Sequence, residues 1–219
     1  MGFVPAPQIN LQSGLLYNLV VSLLVFIACY SAAYISYPRV RNKAYPVFLF
    51  LLGSYWLAAG AGNLLAWLNL LKEFDYIAYI LKPLMALPGV VLIYYLLSEI
   101  FVNRTTVRRL TAVFFSLALG FVLISYRVDG TAFLVTYWGV QWQNFPRSIY
   151  FWGILLPVLA AALYLILKSL LEGIFQKQRV DMTIYLGAVA YAFLEYVQVL
   201  SGLELGDRIL PAQKTSEMK

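Results

Sequence analysis

Six apolar blocks occupy most of this 219-residue chain, each near the roughly 17–25 residues a helix needs to cross a bilayer core. They run from about Leu15 to Tyr37, Ala44 to Leu68, Asp75 to Phe101, Leu110 to Tyr126, Ile149 to Leu167 and Thr183 to Leu200. One soluble core cannot absorb six such blocks. Residues are 62% hydrophobic and 12% charged, against roughly 45–50% and 25% in soluble domains. The expected fold class is all-α, a polytopic membrane helix bundle with six transmembrane helices. Residues 1–202 would form a single bundle, and residues 203–219 a polar C-terminal tail with no seventh span.

The first block is too long for the h-region of a signal peptide, and its charges follow it at Arg39, Arg41 and Lys43, so it is expected to stay as a membrane helix. Cytoplasmic loops carry the excess of Lys and Arg. One side of the expected bundle holds Arg39, Arg41, Lys43, Arg104, Arg108, Arg109, Lys168, Lys177 and Arg179; the other holds Lys72, Arg127, Arg147, Arg208, Lys214 and Lys219. The expected localisation is therefore a cell membrane, multi-pass, with both termini outside. The net charge of +6 reads as topology and contact with anionic headgroups of the lipid bilayer. No separate basic domain exists to bind nucleic acid.

The connection from Arg127 to Arg147 is long and not polar. Asp129-Gly130 is a hairpin-turn dipeptide, and Thr131 to Trp138 is rich in strand formers, so a short extracytoplasmic β-hairpin is expected between helices 4 and 5. Tyr137, Trp138 and Trp142 then have two readings. They anchor the outer interface as an aromatic belt, or they form a lid over a site.

The chain contains no His, which excludes His-ligated haem, His metal sites, Ser-His triads and imidazole relays. Its one Cys, Cys29, sits in the first block, so neither an intrachain disulfide nor a Cys cluster is available. No metal and no cofactor is expected, and catalysis would need Glu195 as base or Lys82 as nucleophile without such help. The chain reads as non-enzymatic.

Two ionisable side chains fall well inside spans, Lys82 in the third and Glu195 in the sixth. Each needs a partner or a wet cavity, since a charge at a helix centre costs about 2.5–3.5 kcal/mol on insertion scales. Lys82 lies seven residues inward of Asp75, about 10 Å at 1.5 Å per residue, and Glu195 lies about 7 Å inward of Leu200 by the same rise. Asn63 and Gln198 fall in the same layer. Helical spacing groups Asp75, Tyr79 and Lys82 on one face, Tyr191, Glu195 and Gln198 on another, and Trp56, Ala59, Gly60, Asn63 and Trp67 on a third. An outward-opening pocket would have Trp56, Tyr79 and Tyr191 as walls and Lys82 and Glu195 as poles. The bland reading of the same residues is a structural Lys82–Glu195 ion pair that holds spans three and six in register and binds nothing; a proton or ion path is a further alternative. Pro83 and Pro88 break the third span beside Lys82, as a moving element would, though membrane helices also carry prolines without moving.

The Arg41 to Asn69 stretch, running through Trp56-Leu57 and then Gly62-Asn63-Leu64-Leu65, the Leu87-Pro88-Gly89 break within Tyr79 to Ile100, the Asp129-Gly130 hairpin and the Gln178-Arg179 entry to the sixth span together resemble the N-terminal seven-helix membrane sensor region of histidine kinases and related signalling proteins. That resemblance covers roughly Arg39 to Gly202 and implies a membrane receptor. The seventh helix and the output domain of that family are missing from it, so a signal would have to leave through a partner. The leading expectation is a sensor or ligand-binding module, or an accessory subunit of a larger membrane complex. Its partners would be a membrane protein and a small apolar or amphipathic ligand. The alternative is a small transporter or proton or ion channel using Lys82 and Glu195, without the internal repeat common in transporters.

Overall fold

A computed structural model describes residues 11–68, 70–128, 133–136, 139–142, 147–171 and 182–193. The architecture is helical: α1 (Leu11–Ser36), α2 (Ala44–Trp67), α3 (Leu71–Ile100), α4 (Arg104–Val128), α5 (Arg147–Tyr150), a π-helical stretch (Phe151–Leu155), α6 (Leu156–Leu171) and α7 (Met182–Phe193). Among the described residues, five helical segments are long and apolar enough to cross a membrane: Gly14–Ser36, Ala44–Trp67, Tyr79–Ile100, Arg104–Arg127 and Phe151–Leu171. The protein is thus a multi-pass membrane protein. Helix α7 is apolar and shorter, and the rest of the expected sixth span, 194–200, lies outside the described residues.

The third helix is the axis of the bundle. Of its apolar window 56% is buried within the protein, against 17% for α1 and 22% for α4, whose outward residues are those that meet lipid. Ala86, Leu92, Ile93 and Leu96 of α3 pack with Phe121 of α4, Tyr150 of α5, Ile154 of the π stretch, Val158 of α6 and Ala188 of α7. Small residues set the closest approaches, as they do where lipid gives no hydrophobic drive between helices. A Cβ on Gly53 of α2 would stand 2.6 Å from the Tyr30 ring of α1, and one on Gly89 of α3 would stand 2.3 Å from Ile154 Cγ2.

Two expectations are corrected. The fourth helix starts at Arg104, not near Leu110, because Asn103 Oδ1 accepts the Thr105 N–H at 2.9 Å and caps it. Arg104, Arg108 and Arg109 therefore ride on its first turns rather than in a loop. The same use of Asn103 gives a structural role to an Asn-Arg-Thr triplet that otherwise reads as a glycosylation sequon. Helix α4 continues through Val128, and the turn expected at Asp129-Gly130 lies outside the described residues. Two short strands, β1 (Phe133–Thr136) and β2 (Gly139–Trp142), pair antiparallel with Phe133 opposite Trp142 and Thr136 opposite Gly139. The β2 strand lies near α1 and α2. Finally, the fifth span is not a uniform α-helix. The π stretch ends two residues before Pro157, whose ring would meet the carbonyl four residues back in a regular helix, and the wider turn relieves that clash. The Leu156 N–H accordingly bonds Phe151 O, five residues back.

Candidate functional site

Pro83 and Pro88 lie inside α3. Lacking an N–H, each leaves the carbonyl four residues earlier without its helical donor, so Pro83 frees that of Tyr79. Tyr126, near the end of α4, supplies the replacement: its hydroxyl donates to Tyr79 O at 2.6 Å. The debt runs the other way as well. Helix α4 ends at Val128, so the last four carbonyls, starting at Ser125, have no intrahelical donor. Lys82 Nζ donates to Ser125 O at 3.1 Å. Helices α3 and α4 thus each satisfy a carbonyl the other cannot.

Electrostatics favour the same arrangement. The Lys82 side chain is 6% exposed, and its ammonium sits at the negative end of the α4 dipole. It also lies 5.1 Å from the Tyr126 ring centroid and 5.9 Å from that of Tyr79, within the range of attraction between a cation and an aromatic face. The two rings are 5.5 Å apart and tilted by 31°. Beside them Ser125 is fully buried, and its Oγ has no hydrogen-bond partner among the described residues. One polar layer therefore contains a cation, two aromatic faces and an unused hydroxyl.

The other expected site residues distribute differently. Tyr79 belongs to this layer and is 48% exposed. Asn63 is half-buried on α2 and makes no hydrogen bond to Lys82 among the described residues; Trp56, also half-buried, stacks edge-on with its neighbour Tyr55 at 5.7 Å. Tyr191 of α7 is a core residue, edge-on to Phe48 at 5.5 Å. Its hydroxyl meets that of Tyr150 at 3.4 Å, and Tyr150 in turn donates to Met85 O at 3.4 Å, so a second polar chain crosses from α7 through α5 to α3. Glu195, Gln198, Tyr137 and Trp138 lie outside the described residues, and Trp142 is placed as the last residue of β2.

Ser125 and Tyr126 were not expected from the sequence. The signal for Tyr126 was present all the same, since Pro83 demands an external donor for the Tyr79 carbonyl. Among the described residues no group of three or more Cys, Asp or Glu side chains is gathered as a metal site requires. No family model matches the chain, and neither does any curated protein or solved structure.

Proposed function

We propose that this membrane protein is a sensor or ligand-binding module that takes a small amphipathic molecule at the Lys82 layer, from the outer side or the outer leaflet. The observation that carries this reading is the buried Lys82 ammonium beside the unused Ser125 hydroxyl, flanked by two tyrosine rings. A polar head would find a cation and a donor there, and an apolar tail would find the aromatic faces and lipid. Binding would act on α3, whose helical ladder is already interrupted at Pro83 and Pro88. Glu195 and Gln198, with Asn63, would complete the polar lining, Tyr191 and Trp56 would stand behind it, and Tyr137, Trp138 and Trp142 would cover it as a lid. The resemblance to histidine-kinase sensor regions supports the same class, with the output passed to a separate membrane protein. The distribution of basic residues supports a topology with both termini outside.

Native mass spectrometry of the protein extracted from its own membranes in mild detergent tests this reading. The expected result is a reproducible small-molecule mass on the wild type that is lost from Lys82→Met. Polypeptides at fixed stoichiometry with no such mass would instead make the chain a complex subunit and the layer a packing feature.

A further inference from the structure

At the end of the bundle away from Lys82, the α1–α2 turn and the α3–α4 turn are tied together. Asn42 Nδ2 donates to Ser98 Oγ at 2.5 Å, Ser98 Oγ donates to Tyr95 O at 2.6 Å, and Asn42 Oδ1 accepts the Ala44 N–H at 3.1 Å. These bonds fix the first turn to the last turn of α3, three residues before Phe101 begins the second. The two turns and the start of α4 present Arg39, Arg41, Arg104, Arg108 and Arg109, all exposed. Arg104 and Arg108 are one helical turn apart and share a face of α4. The first turns of α2 and α4 contain no acidic residue.

Lys43, the remaining cation in these turns, is used differently. Its ammonium bonds Tyr37 O and, at 3.1 Å, Val40 O, and lies 4.7 Å from the Tyr37 ring centroid, so it closes the end of α1. The cations left to face outward are arginines. Orientation in a membrane needs only positive charge and is met equally well by Lys. A planar fork that binds two oxygens of one group is a property of Arg, and it matches phosphate.

We infer that this arginine face is a binding site for the phosphate of anionic lipid headgroups, held by forked contacts from Arg104 and Arg108 and reinforced by Arg39, Arg41 and Arg109. It is independent of the Lys82 layer at the opposite end. The test uses the full chain in mixed micelles of phosphatidylcholine and detergent, with dioleoylphosphatidylglycerol titrated in and bound lipid counted by native mass spectrometry. Removing charge with R104Q/R108Q is expected to weaken retention by roughly 25-fold, about 5-fold for each basic residue near an anionic surface. Keeping charge but removing the fork with R104K/R108K is expected to give a smaller but measurable loss of retention, while R127K at the other end leaves it unchanged. Retention by R104K/R108K equal to wild type would reduce the face to simple charge and overturn the site. So would an equal loss in R127K. Displacement of the bound lipid by millimolar inorganic phosphate would overturn the lipid as the source of the phosphate.

Discussion

Replacing Tyr126 by Phe removes one hydroxyl and leaves the ring that lies against Tyr79 and Lys82. What is lost is the 2.6 Å bond to Tyr79 O. Side-chain hydrogen bonds between membrane helices average about 0.6 kcal/mol and reach about 1.7. This one should sit toward the upper figure, because Pro83 denies Tyr79 its helical donor and the orphaned carbonyl would bear a penalty of about 1–3 kcal/mol if nothing replaced the hydroxyl. Pro83→Ala supplies the missing N–H. In that background the carbonyl is satisfied within α3, and Tyr126→Phe should cost no more than the roughly 0.3–0.5 kcal/mol by which independent sites depart from additivity. Reversible unfolding by dodecyl sulfate in mixed micelles, followed by far-ultraviolet circular dichroism, measures the four corners of the cycle. An equal cost of Tyr126→Phe with and without Pro83 would refute the reciprocal capping of α3 and α4.

Ser125→Ala should cost no more than about 0.5 kcal/mol, since its hydroxyl has no partner among the described residues, whereas Lys82→Met should cost about 1–3 kcal/mol by stripping the donor from Ser125 O; the same unfolding assay checks both. Gly89→Ala should destabilise by about 1–3 kcal/mol, because the new methyl meets the fully buried Ile154 at 2.3 Å. Gly187→Ala, facing open space on α7, should be neutral or stabilising by up to about 1 kcal/mol through helix propensity, and a loss comparable to that of Gly89→Ala would contradict the packing of α7. Trp138→Ala should weaken retention of the co-purifying small molecule if the connection is a lid; unchanged retention would return Trp138 to the membrane interface.

Hydropathy made the spans legible because a bilayer imposes a length and an apolar composition on each helix, and five of the six blocks have their helices among the described residues. Caps were less legible. The start of α4 depends on one Asn103 bond, which hydropathy alone does not register. In the candidate site, Lys82 stood out as a charge in an apolar run, and Tyr79 followed from helical spacing. Ser125 did not stand out, because a serine in a membrane helix normally bonds back to its own backbone. The reciprocal caps belong to two helices whose contacting residues are more than forty positions apart, and only their antiparallel packing brings them together. Tyr191 shared a helical face with the expected lining, yet α7 turns it into the core against Phe48 and Tyr150.

If the Lys82 layer opens to the outer side as proposed, a cysteine placed in it is reached from that side. Because Cys29 is the chain's one cysteine, a Cys29→Ala background gives a blank chain into which Tyr79→Cys can be placed at a position 48% exposed. A membrane-impermeant thiol reagent applied to intact cells should label that cysteine, and an excess of the co-purifying molecule should protect it. Labelling confined to inverted vesicles would contradict the outward opening, and labelling that the molecule does not slow would contradict the site.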